Sequence, residues 1–449
     1  MAGIGGIGMS ALARWFHAYG YKVAGYDKTA TALTRELEEE GILIHYQDNV
    51  DLIPKDYLDK ENTQVVYTPA LPQDHAELAW FRAQGFDIKK RSEVLGLITR
   101  GLPSVAVAGT HGKTTTTSMV AHVLHASGVP CTAFMGGVSQ NYQSNLLLNT
   151  SPDAWVVIEA DEYDRSFLRL EPKVAIVTTM DPDHLDIYGD EGEFVRTFNE
   201  FAKKVPAGGA LIYREGLPLG DSPEVSAVTF GTGTADIKAY DIKADNGWFV
   251  FNVNIQGKEI NNVRLQVPGM HNVMNALAAF AAGRAVGISD EKIVEAIATY
   301  KGVKRRFEYF FRNEKCIAID DYAHHPAEVE ACLSAVRALY PEKHITAVFQ
   351  PHLYSRTRDF MGGFADSLAI ADHIVLLDIY PAREKPIAGV SSERLLGMIQ
   401  KDAKTLCSKE KLADALVEIG TDVIVTMGAG DIDRMVEPIQ TKLKEVYES

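Results

Sequence analysis

The residues with the clearest chemical purpose lie in one glycine-rich loop. The segment Gly109-Thr-His-Gly-Lys-Thr-Thr115 follows the apolar residues 104–108 and precedes apolar residues at helical spacing. In such a strand–loop–helix unit the backbone amides surround phosphates, a lysine reaches the β and γ phosphates, and a hydroxyl binds Mg²⁺. A strict Walker A loop has glycine where this chain has Val107. The loop predicts binding of ATP or GTP by Gly109, Thr110, His111, Gly112, Lys113, Thr114 and Thr115, with Thr114 as a metal ligand.

Carboxylates and a histidine follow the next two apolar segments. Glu159 ends the segment Trp155-Val-Val-Ile-Glu159, at the sheet edge where a Mg²⁺ ligand of a phosphate site belongs. Asp161 and Glu162 are weaker alternatives. His184 lies in a loop after the strand predicted over residues 174–179, and we expect it to bind a second divalent ion or a phosphate oxygen. A loop hydrogen bond is the alternative for His184.

Histidines and arginines cluster near the C-terminal third of the chain. The segments Asp320-Asp-Tyr-Ala-His-His-Pro326 and Gln350-Pro-His-Leu-Tyr-Ser-Arg-Thr-Arg358 each follow a predicted strand. Both belong at the carboxyl edge of a parallel sheet, where open α/β sheets bind ligands. Arg356 or Arg358 suits a carboxylate or phosphate through paired hydrogen bonds.

Two further motifs leave alternatives open. Gly3-Ile-Gly-Gly-Ile-Gly8, with Asp27 after the next strand, fits a dinucleotide-binding loop. The loop alone does not separate NAD from a nucleotide-sugar diphosphate. Only Met1 and Ala2 precede it, so we expect its first strand to be missing. His271 and Asn272 either meet a purine base or, through Asn272, cap the following helix.

Composition limits the classes of function. The 449 residues include 45 Lys plus Arg and 60 Asp plus Glu, giving a formal charge of −15. That charge argues against non-specific nucleic-acid binding and against docking to anionic lipid. The four cysteines form no C-x-x-C pair, which favours reduced thiols. No apolar run has membrane-spanning length, and no secretory signal is visible. We therefore expect a cytoplasmic protein.

The elements that must position these residues alternate between strands and helices, which is typical of parallel α/β sheets. We predict an α/β chain with three domains, over residues 1–102, 103–302 and 303–449. Strands are predicted over 21–27, 64–67, 104–108, 315–319, 344–349, 373–378 and 422–426, and helices over 31–40, 326–339, 361–369 and from Glu393. Residues 225–267 are predicted to form an antiparallel excursion inside the second domain.

The motifs together resemble the Mur ligase family, over essentially the whole chain. Besides the segments above, the resemblance rests on Asp183-His-Leu-Asp186, His271-Asn272 and Arg305-Arg-Phe307, in this order. It implies a Rossmann-like UDP-binding domain, a central P-loop ATPase-like domain with a parallel sheet and a small antiparallel part, and a Rossmann-like C-terminal domain. The resemblance is strongest to the branch that joins L-alanine to UDP-N-acetylmuramate with ATP.

The resemblance also implies a set of ligand contacts. The UDP-sugar would meet Gly5, Gly6, Gly8, Met9, Ser10, Asp27, Thr68, Ala70, Arg91 and Asn145. ATP would meet the phosphate loop together with His271, Asn272, Asn275, Arg306 and Asp321, and the amino acid would meet Tyr322, His324, His352 and Arg356. The predicted catalytic groups are Lys113, His184, Arg306 and His324, with His324 as a candidate base. Two Mg²⁺ ions are expected on Thr114, Glu159 and His184, and Mn²⁺ can substitute.

The chain departs from the family pattern at two places. Leu353 stands where many relatives carry an arginine, which leaves one carboxylate contact uncertain. Asn199 occupies the region where sister ligases for later amino acids carry a carbamoylated lysine, so no such modification is expected. A monomer or homodimer is predicted, with no nucleic-acid or membrane partner.

Three other functions compete with the alanine-adding one. The first is attachment of a recycled murein tripeptide to the same UDP-sugar. The second is an NAD-dependent oxidoreductase, which leaves the Lys113 loop unexplained. The third is a nucleotide-switch or UDP-sugar-binding regulator that forms no amide.

Overall fold

The computed structural model describes residues 1–72, 74–181, 188, 190–220, 225–245, 247–382 and 384–448. It has the α/β architecture that the sequence predicts. By contacts the chain divides into two compact units, residues 1–240, 252–263 and 274–300 in the first and residues 241–251, 264–273 and 301–449 in the second. Among the described residues, no helix combines the length and apolarity that crossing a bilayer requires.

Residues 1–102 alternate short parallel strands and helices. Strand β1 pairs with β2 and β3 pairs with β4, in parallel. The strands are β1 (Ala24–Tyr26), β2 (Leu43–His45), β3 (Gln64–Tyr67) and β4 (Asp87–Lys90), and the helices are α1 (Ile7–Ala18), α2 (Ala32–Glu39), α3 (Ala76–Ala83) and α4 (Arg91–Gly101). Thr31 caps α2 by accepting the Thr34 amide, which fixes the start of this helix.

Met1 and Ala2 occupy the place of the strand that the glycine loop requires. Ala2 forms parallel bridges to Tyr26 in β1 and to Tyr67 in β3. The Ala2 amide donates to Val66 O over 2.9 Å, and the Tyr26 amide donates to Met1 O over 2.9 Å. Ala2 is thus bridged to both strands at the position where the glycine loop expects a strand. A cavity of about 460 Å³ lies beside Met1. It is lined by residues that precede Tyr26 in β1 and by residues that precede Tyr67 in β3.

We expect a four-residue extension of β-branched residues before Met1 to stabilise the chain. Burying two such side chains in the cavity contributes about 2–4 kcal/mol to the free energy of unfolding. The same extension tests a charge effect, because burial lowers the pKa of the Met1 amine from 8.0 to about 6. The unfolded chain thus binds more protons between pH 6 and 8, and stability rises with pH across this window by about 2–3 kcal/mol.

The measurement is urea unfolding of both chains at pH 6 and pH 8. In the extended chain the amine lies elsewhere, so the increment between the two pH values should shrink. Equal stability of the two chains at both pH values would contradict the assignment of the cavity as a strand position.

Residues 103–302 build a sheet whose inner strands are parallel. The strand order is β14-β13-β12-β11-β10-β9-β5-β8-β6-β7. The strands are β5 (Ser104–Ala108), β6 (Cys131–Ser139), β7 (Ser144–Leu147), β8 (Trp155–Glu159), β9 (Val174–Val177), β10 (Ala210–Arg214), β11 (Ser226–Gly231), β12 (Ile237–Asp245), β13 (Trp248–Ile255) and β14 (Lys258–Leu265). The helices are α5 (Lys113–Ala126), α6 (Glu191–Ala202), α7 (Met270–Val286) and α8 (Asp290–Thr299). Strand β5 is buried throughout, as expected for a parallel strand covered on both faces.

The antiparallel excursion begins later than predicted. Strand β11 pairs in parallel with β10, from Ala210 opposite Ser226 to Arg214 opposite Phe230. It therefore continues the parallel sheet. Strands β12, β13 and β14 are joined by two-residue connections, which suit antiparallel neighbours only.

Residues 303–449 form a second sheet, ordered β15-β16-β20-β17-β18-β19, with β15 antiparallel. Its strands are β15 (Glu308–Arg312), β16 (Ile317–Asp321), β17 (Ile345–Phe349), β18 (His373–Leu376), β19 (Lys404–Leu406) and β20 (Val423–Met427). Its helices are α9 (Pro326–Leu339), α10 (Tyr354–Leu368), α11 (Ser392–Met398), α12 (Lys409–Ile419) and α13 (Val436–Tyr447). Strand β16 ends two residues later than predicted, so Asp320 and Asp321 belong to the strand.

Candidate functional site

The phosphate loop adopts a conformation that only glycine allows at two positions. Gly109 has φ 132° and Gly112 has φ 81°, both in the region that other residues avoid. A Cβ atom on Gly109 would collide with the Thr178 hydroxyl. The loop is fastened to the end of β9, where the His111 amide donates to Thr179 Oγ1 over 2.9 Å. Helix α5 then begins at Lys113 without a side-chain cap, so its N-terminal amides face the loop as an anion site.

The Lys113 ammonium is paired inside the loop. Its Nζ donates to Gly109 O over 2.7 Å and to Glu162 Oε1 over 2.8 Å. Burial lowers the pKa of Lys113, but the Glu162 carboxylate outweighs burial and the pKa lies above its usual value. Lys113 is therefore a fixed cation, and Glu162 serves as its counterion rather than as a metal ligand.

The Glu159 carboxylate fits a cation. Its Oε1 is buried and has no hydrogen-bond partner among the residues that the structure describes, and a Cβ atom on Gly136 would collide with both carboxylate oxygens. Among the described residues, no three His, Cys, Asp or Glu side chains are grouped as a metal site. A Mg²⁺ that also binds nucleotide phosphates and water needs only one or two protein ligands, so Glu159 with the half-buried Thr114 suffices. His184 lies outside the described residues.

The residues that are predicted to contact adenine lie on helix α7 but differ in their surroundings. This helix begins at Met270, so Asn272 lies in its first turn and is not its cap. The side-chain Nδ2 of Asn272 donates to Pro268 O over 2.7 Å. Asn275 is buried, and its Oδ1 accepts the Thr116 hydroxyl over 3.0 Å, at the start of helix α5. His271 has an exposed side chain.

The N-terminal glycine loop brings a cation and a carboxylate to one place. The Gly5 amide donates to Asp27 Oδ2 over 2.8 Å. A Cβ atom on Gly8 would collide with the guanidinium of Arg91, so only glycine lets Arg91 lie against the first turn of α1. Thr68 packs on Gly3, where a Cβ atom would lie 2.5 Å from Thr68 Cγ2. Ala70 is exposed nearby in sequence, and the Gly6 amide donates weakly within the loop, to Gly3 O over 3.3 Å.

Met9, Ser10 and Asn145 are buried around the first turn of α1. Met9 and Ser10 are buried, and their amides donate within the first turn of α1. Asn145 Nδ2 donates to Ile7 O over 2.6 Å and to Ser10 Oγ over 2.9 Å, while its Oδ1 accepts from Arg14. These bonds position the first turn of α1, and the contact of these residues with the UDP-sugar stays a prediction.

In the second unit, Asp321 holds the turn that presents Arg306. Its two oxygens accept the amides of Phe307 and Ala323, each over 2.8 Å. The flanking residues Arg305 and Phe307 have φ values of 60° and 52°, a strained conformation that such contacts must hold. Burial raises the pKa of Asp321 to about 6, although Arg306 opposes this shift. Asp321 therefore positions this turn, and its contact with ATP stays a prediction.

Adjacent arginines in that turn have different surroundings. Arg305 donates to Gly428 O over 2.6 Å and to Asp320 Oδ2 over 3.2 Å, so its charge is satisfied internally. The Arg306 guanidinium lies 5.0 Å from the centre of the Tyr322 ring. This contact leaves the N–H groups of the Arg306 guanidinium available for an anion.

The predicted amino-acid cluster is assembled in the second unit. His324 Nδ1 lies 2.9 Å from Tyr322 O and 3.2 Å from the Glu328 carboxylate. The rings of His324 and His352 are 6.3 Å apart, and Arg356 follows one turn into α10. Burial lowers the pKa of both histidines, to about 4 for His352.

Glu384 is a member of this cluster that sequence reasoning missed. Its carboxylate accepts the Ser355 hydroxyl over 2.5 Å and the Ser355 amide over 2.9 Å. It thereby occupies the positive end of helix α10, so that end is not free for a substrate carboxylate. Gly136 and Tyr380 were also missed, because each is distant in sequence from the motif that it serves, and Glu162 was considered only as a metal ligand.

Three family models match most of the chain. The model described as "Mur ligase family, catalytic domain" matches residues 1–102. The "Mur ligase middle domain" matches residues 107–283, and the "Mur ligase, glutamate ligase domain" matches residues 305–430.

Individual relatives match the chain over nearly its full length. The UDP-N-acetylmuramate–L-alanine ligase of Cytophaga hutchinsonii is 49% identical, covering 100% of this chain and 97% of the relative. That of Flavobacterium psychrophilum is 50% identical, covering 99% and 97%. The solved UDP-N-acetylmuramate–alanine ligase of Thermotoga maritima has a TM-score of 0.84 at 28% identity, covering 99% of this chain and 98% of the other. A murein peptide ligase of Psychrobacter arcticus shares the fold, with a TM-score of 0.69 at 23% identity and 98% coverage of each chain. The chain belongs to the Mur ligase family.

Proposed function

We propose that the chain joins the lactyl carboxylate of UDP-N-acetylmuramate to the amine of L-alanine, with cleavage of ATP to ADP and phosphate. As a Mur ligase the chain uses ATP. The observation that carries the substrate assignment is the 49–50% identity, over nearly the whole length, to ligases named for these two substrates. The half-buried Lys113 on a phosphate loop supports the ATP-dependent step.

The chemistry follows from the poor reactivity of a carboxylate. One carboxylate oxygen attacks the γ-phosphorus of ATP and displaces ADP, which gives an acyl phosphate. The amine then attacks the acyl carbon. The bond between that carbon and the phosphate oxygen breaks, and phosphate leaves with its electron pair. The first step needs charge neutralisation and alignment more than bond-making by the protein. Lys113 and the loop amides provide both at the β and γ phosphates.

Thr114 and Glu159 hold Mg²⁺ in this proposal, and His184 is the predicted ligand of a second ion. The metal supplies positive charge that offsets the phosphate oxygens. Glu159 suits this role because its buried Oε1 lacks a partner within the described chain. Without a cation, that buried oxygen costs about 1–3 kcal/mol.

Arg356 pairs with the carboxylate of L-alanine, since Glu384 already occupies the N-terminus of helix α10. The alanine amine is mostly protonated at pH 7, because the pKa of an α-amino group lies above 7. His324 accepts its proton, and burial favours the neutral ring that can do so. Tyr322 and His352 complete this pocket.

The glycine loop binds the UDP-sugar. Gly8 lies against Arg91, whose guanidinium would neutralise a diphosphate bound at the amides of Gly5, Gly6 and Gly8. Asp27, Thr68 and Ala70 lie at the same sheet edge, toward the uridine and the sugar. We assign UDP-sugar binding to residues 1–102, ATP binding to 103–302 and amino-acid binding to 303–449. The adenine contact of His271, the ATP contact of Arg306, the cytoplasmic location and the monomer or homodimer stay predictions.

The test is phosphate release together with mass analysis of the UDP-sugar, in the presence of Mg-ATP and UDP-N-acetylmuramate. With L-alanine we expect one equivalent of phosphate for each amide formed. If product forms with a murein tripeptide but not with L-alanine, the chain is a ligase that attaches the recycled tripeptide to the UDP-sugar. ATP binding without any amide would favour the regulator, and an absorbance change with NAD would favour the oxidoreductase.

A further inference from the structure

We propose that Tyr380 is a positioning residue for the amino-acid substrate, because it fixes the His352 imidazole in the orientation that receives the substrate amine. The inference rests on the proposed function and adds a residue that no motif of the sequence marked. Tyr380 follows β18, while His352 follows the adjacent strand β17.

The backbones of the two segments are joined beyond the ends of their strands. His352 and Tyr380 form a parallel bridge. The Leu353 amide donates to Tyr380 O over 2.9 Å, and the Tyr380 amide donates to Pro351 O over 2.8 Å. These bonds hold Leu353 at φ 67° and ψ 135°, a conformation that few non-glycine residues adopt. They fix the position of the His352 backbone and do not depend on the Tyr380 ring.

The ring of Tyr380 restricts rotation of the His352 side chain, which the backbone bonds do not fix. The two rings are stacked, with centroids 5.7 Å apart and an interplanar angle of 13°. Tyr380 packs closely on the backbone of Gly430, because a Cβ atom added at that glycine would lie 2.7 Å from Tyr380 Cβ. On another side, His324 meets His352 edge to face at 6.3 Å. The imidazole is therefore held between two aromatic rings.

The orientation of the ring matters because one ring nitrogen of His352 is available to bind a ligand. Nδ1 is buried and has no hydrogen-bond partner within the described chain. The titratable groups that act on the ring are His324, Arg356 and Glu384. A neutral imidazole nitrogen accepts a hydrogen bond from an ammonium or amine, and Arg356 takes the carboxylate of the same molecule. Rotation of the ring would move this acceptor away from the amine.

The test compares Tyr380→Ala with Tyr380→Phe in the full chain. The Phe variant keeps the stacked ring, and we expect its KM for L-alanine to stay within about twofold of the original. The Ala variant loses the ring, and we expect that KM to rise about tenfold, as loss of an aromatic pair predicts. The KM values for ATP and UDP-N-acetylmuramate should not change. A matched control is Tyr447→Ala, which removes a half-buried tyrosine from helix α13.

Three outcomes would overturn the inference. They are an unchanged KM for L-alanine in Tyr380→Ala, an equal rise in Tyr380→Phe, or a loss that affects all three substrates equally. If Tyr380→Ala fails to fold, Tyr380→Leu keeps the bulk without the stack and must show the same selective loss. Failure of the original chain to use L-alanine would instead refute the proposed function.

Discussion

Replacement of Lys113 by methionine is expected to lower the rate of ligation by at least about a thousandfold, as for loss of a central charge contact in phosphoryl transfer. The Lys113 ammonium is the cation that the phosphate loop itself carries, 2.7 Å from Gly109 O. Methionine retains the length and apolar volume of the side chain but supplies neither charge nor hydrogen bonds. The measurement is single-turnover phosphate release at saturating ATP, UDP-N-acetylmuramate and L-alanine.

The partner of Lys113 makes a control for folding possible. Lys113→Met leaves the buried Glu162 carboxylate without its counterion, a loss of about 3–5 kcal/mol in stability. The double variant Lys113→Met/Glu162→Gln removes that unpaired charge, so we expect its melting temperature to recover while its activity does not. Activity within tenfold of the original in either variant would refute the role of Lys113.

Elements defined by local pattern were predictable from the sequence. Residues 64–67 and 104–108 are apolar runs between turn residues, and both are strands with these bounds. Helix α9 begins at Pro326, which suits the first turn of a helix. Helix α10 was predicted seven residues too late, because its first turn is polar and its start at Tyr354 depends on Glu384, a partner distant in sequence.

The site was predictable where the loop itself carries the chemistry and not where a distant residue supports it. The glycines at 109 and 112 indicate the phosphate loop by themselves. Asp321 was expected to face ATP, but its oxygens accept amides from Phe307 and Ala323. A carboxylate beside a motif looks the same in sequence whether it binds a ligand or holds a turn, so only the hydrogen-bond partners separate these roles.

Replacement of Gly136 by alanine is expected to impair catalysis through Glu159, although position 136 carries no functional group. Gly136 lies in β6 beside β8, and the added methyl group would overlap both carboxylate oxygens of Glu159. The backbone there is not in the left-handed region, so alanine itself is tolerated and the side chain of Glu159 must move. We expect the rate to fall by about a hundredfold, comparable to misplacing a catalytic group by 1 Å.

The concentration of Mg²⁺ needed for half-maximal rate distinguishes this cause from a general loss of structure. If Glu159 holds the metal, that concentration should rise in Gly136→Ala and in Glu159→Gln, which removes the charge without added bulk. Gly101→Ala is the matched control, because a Cβ atom at Gly101 meets no atom within 4 Å. If Gly136→Ala is slow but needs the same concentration of Mg²⁺ for half-maximal rate, the Glu159 carboxylate is not a metal ligand. In that case, moving the Glu159 carboxylate would have no effect on Mg²⁺ binding.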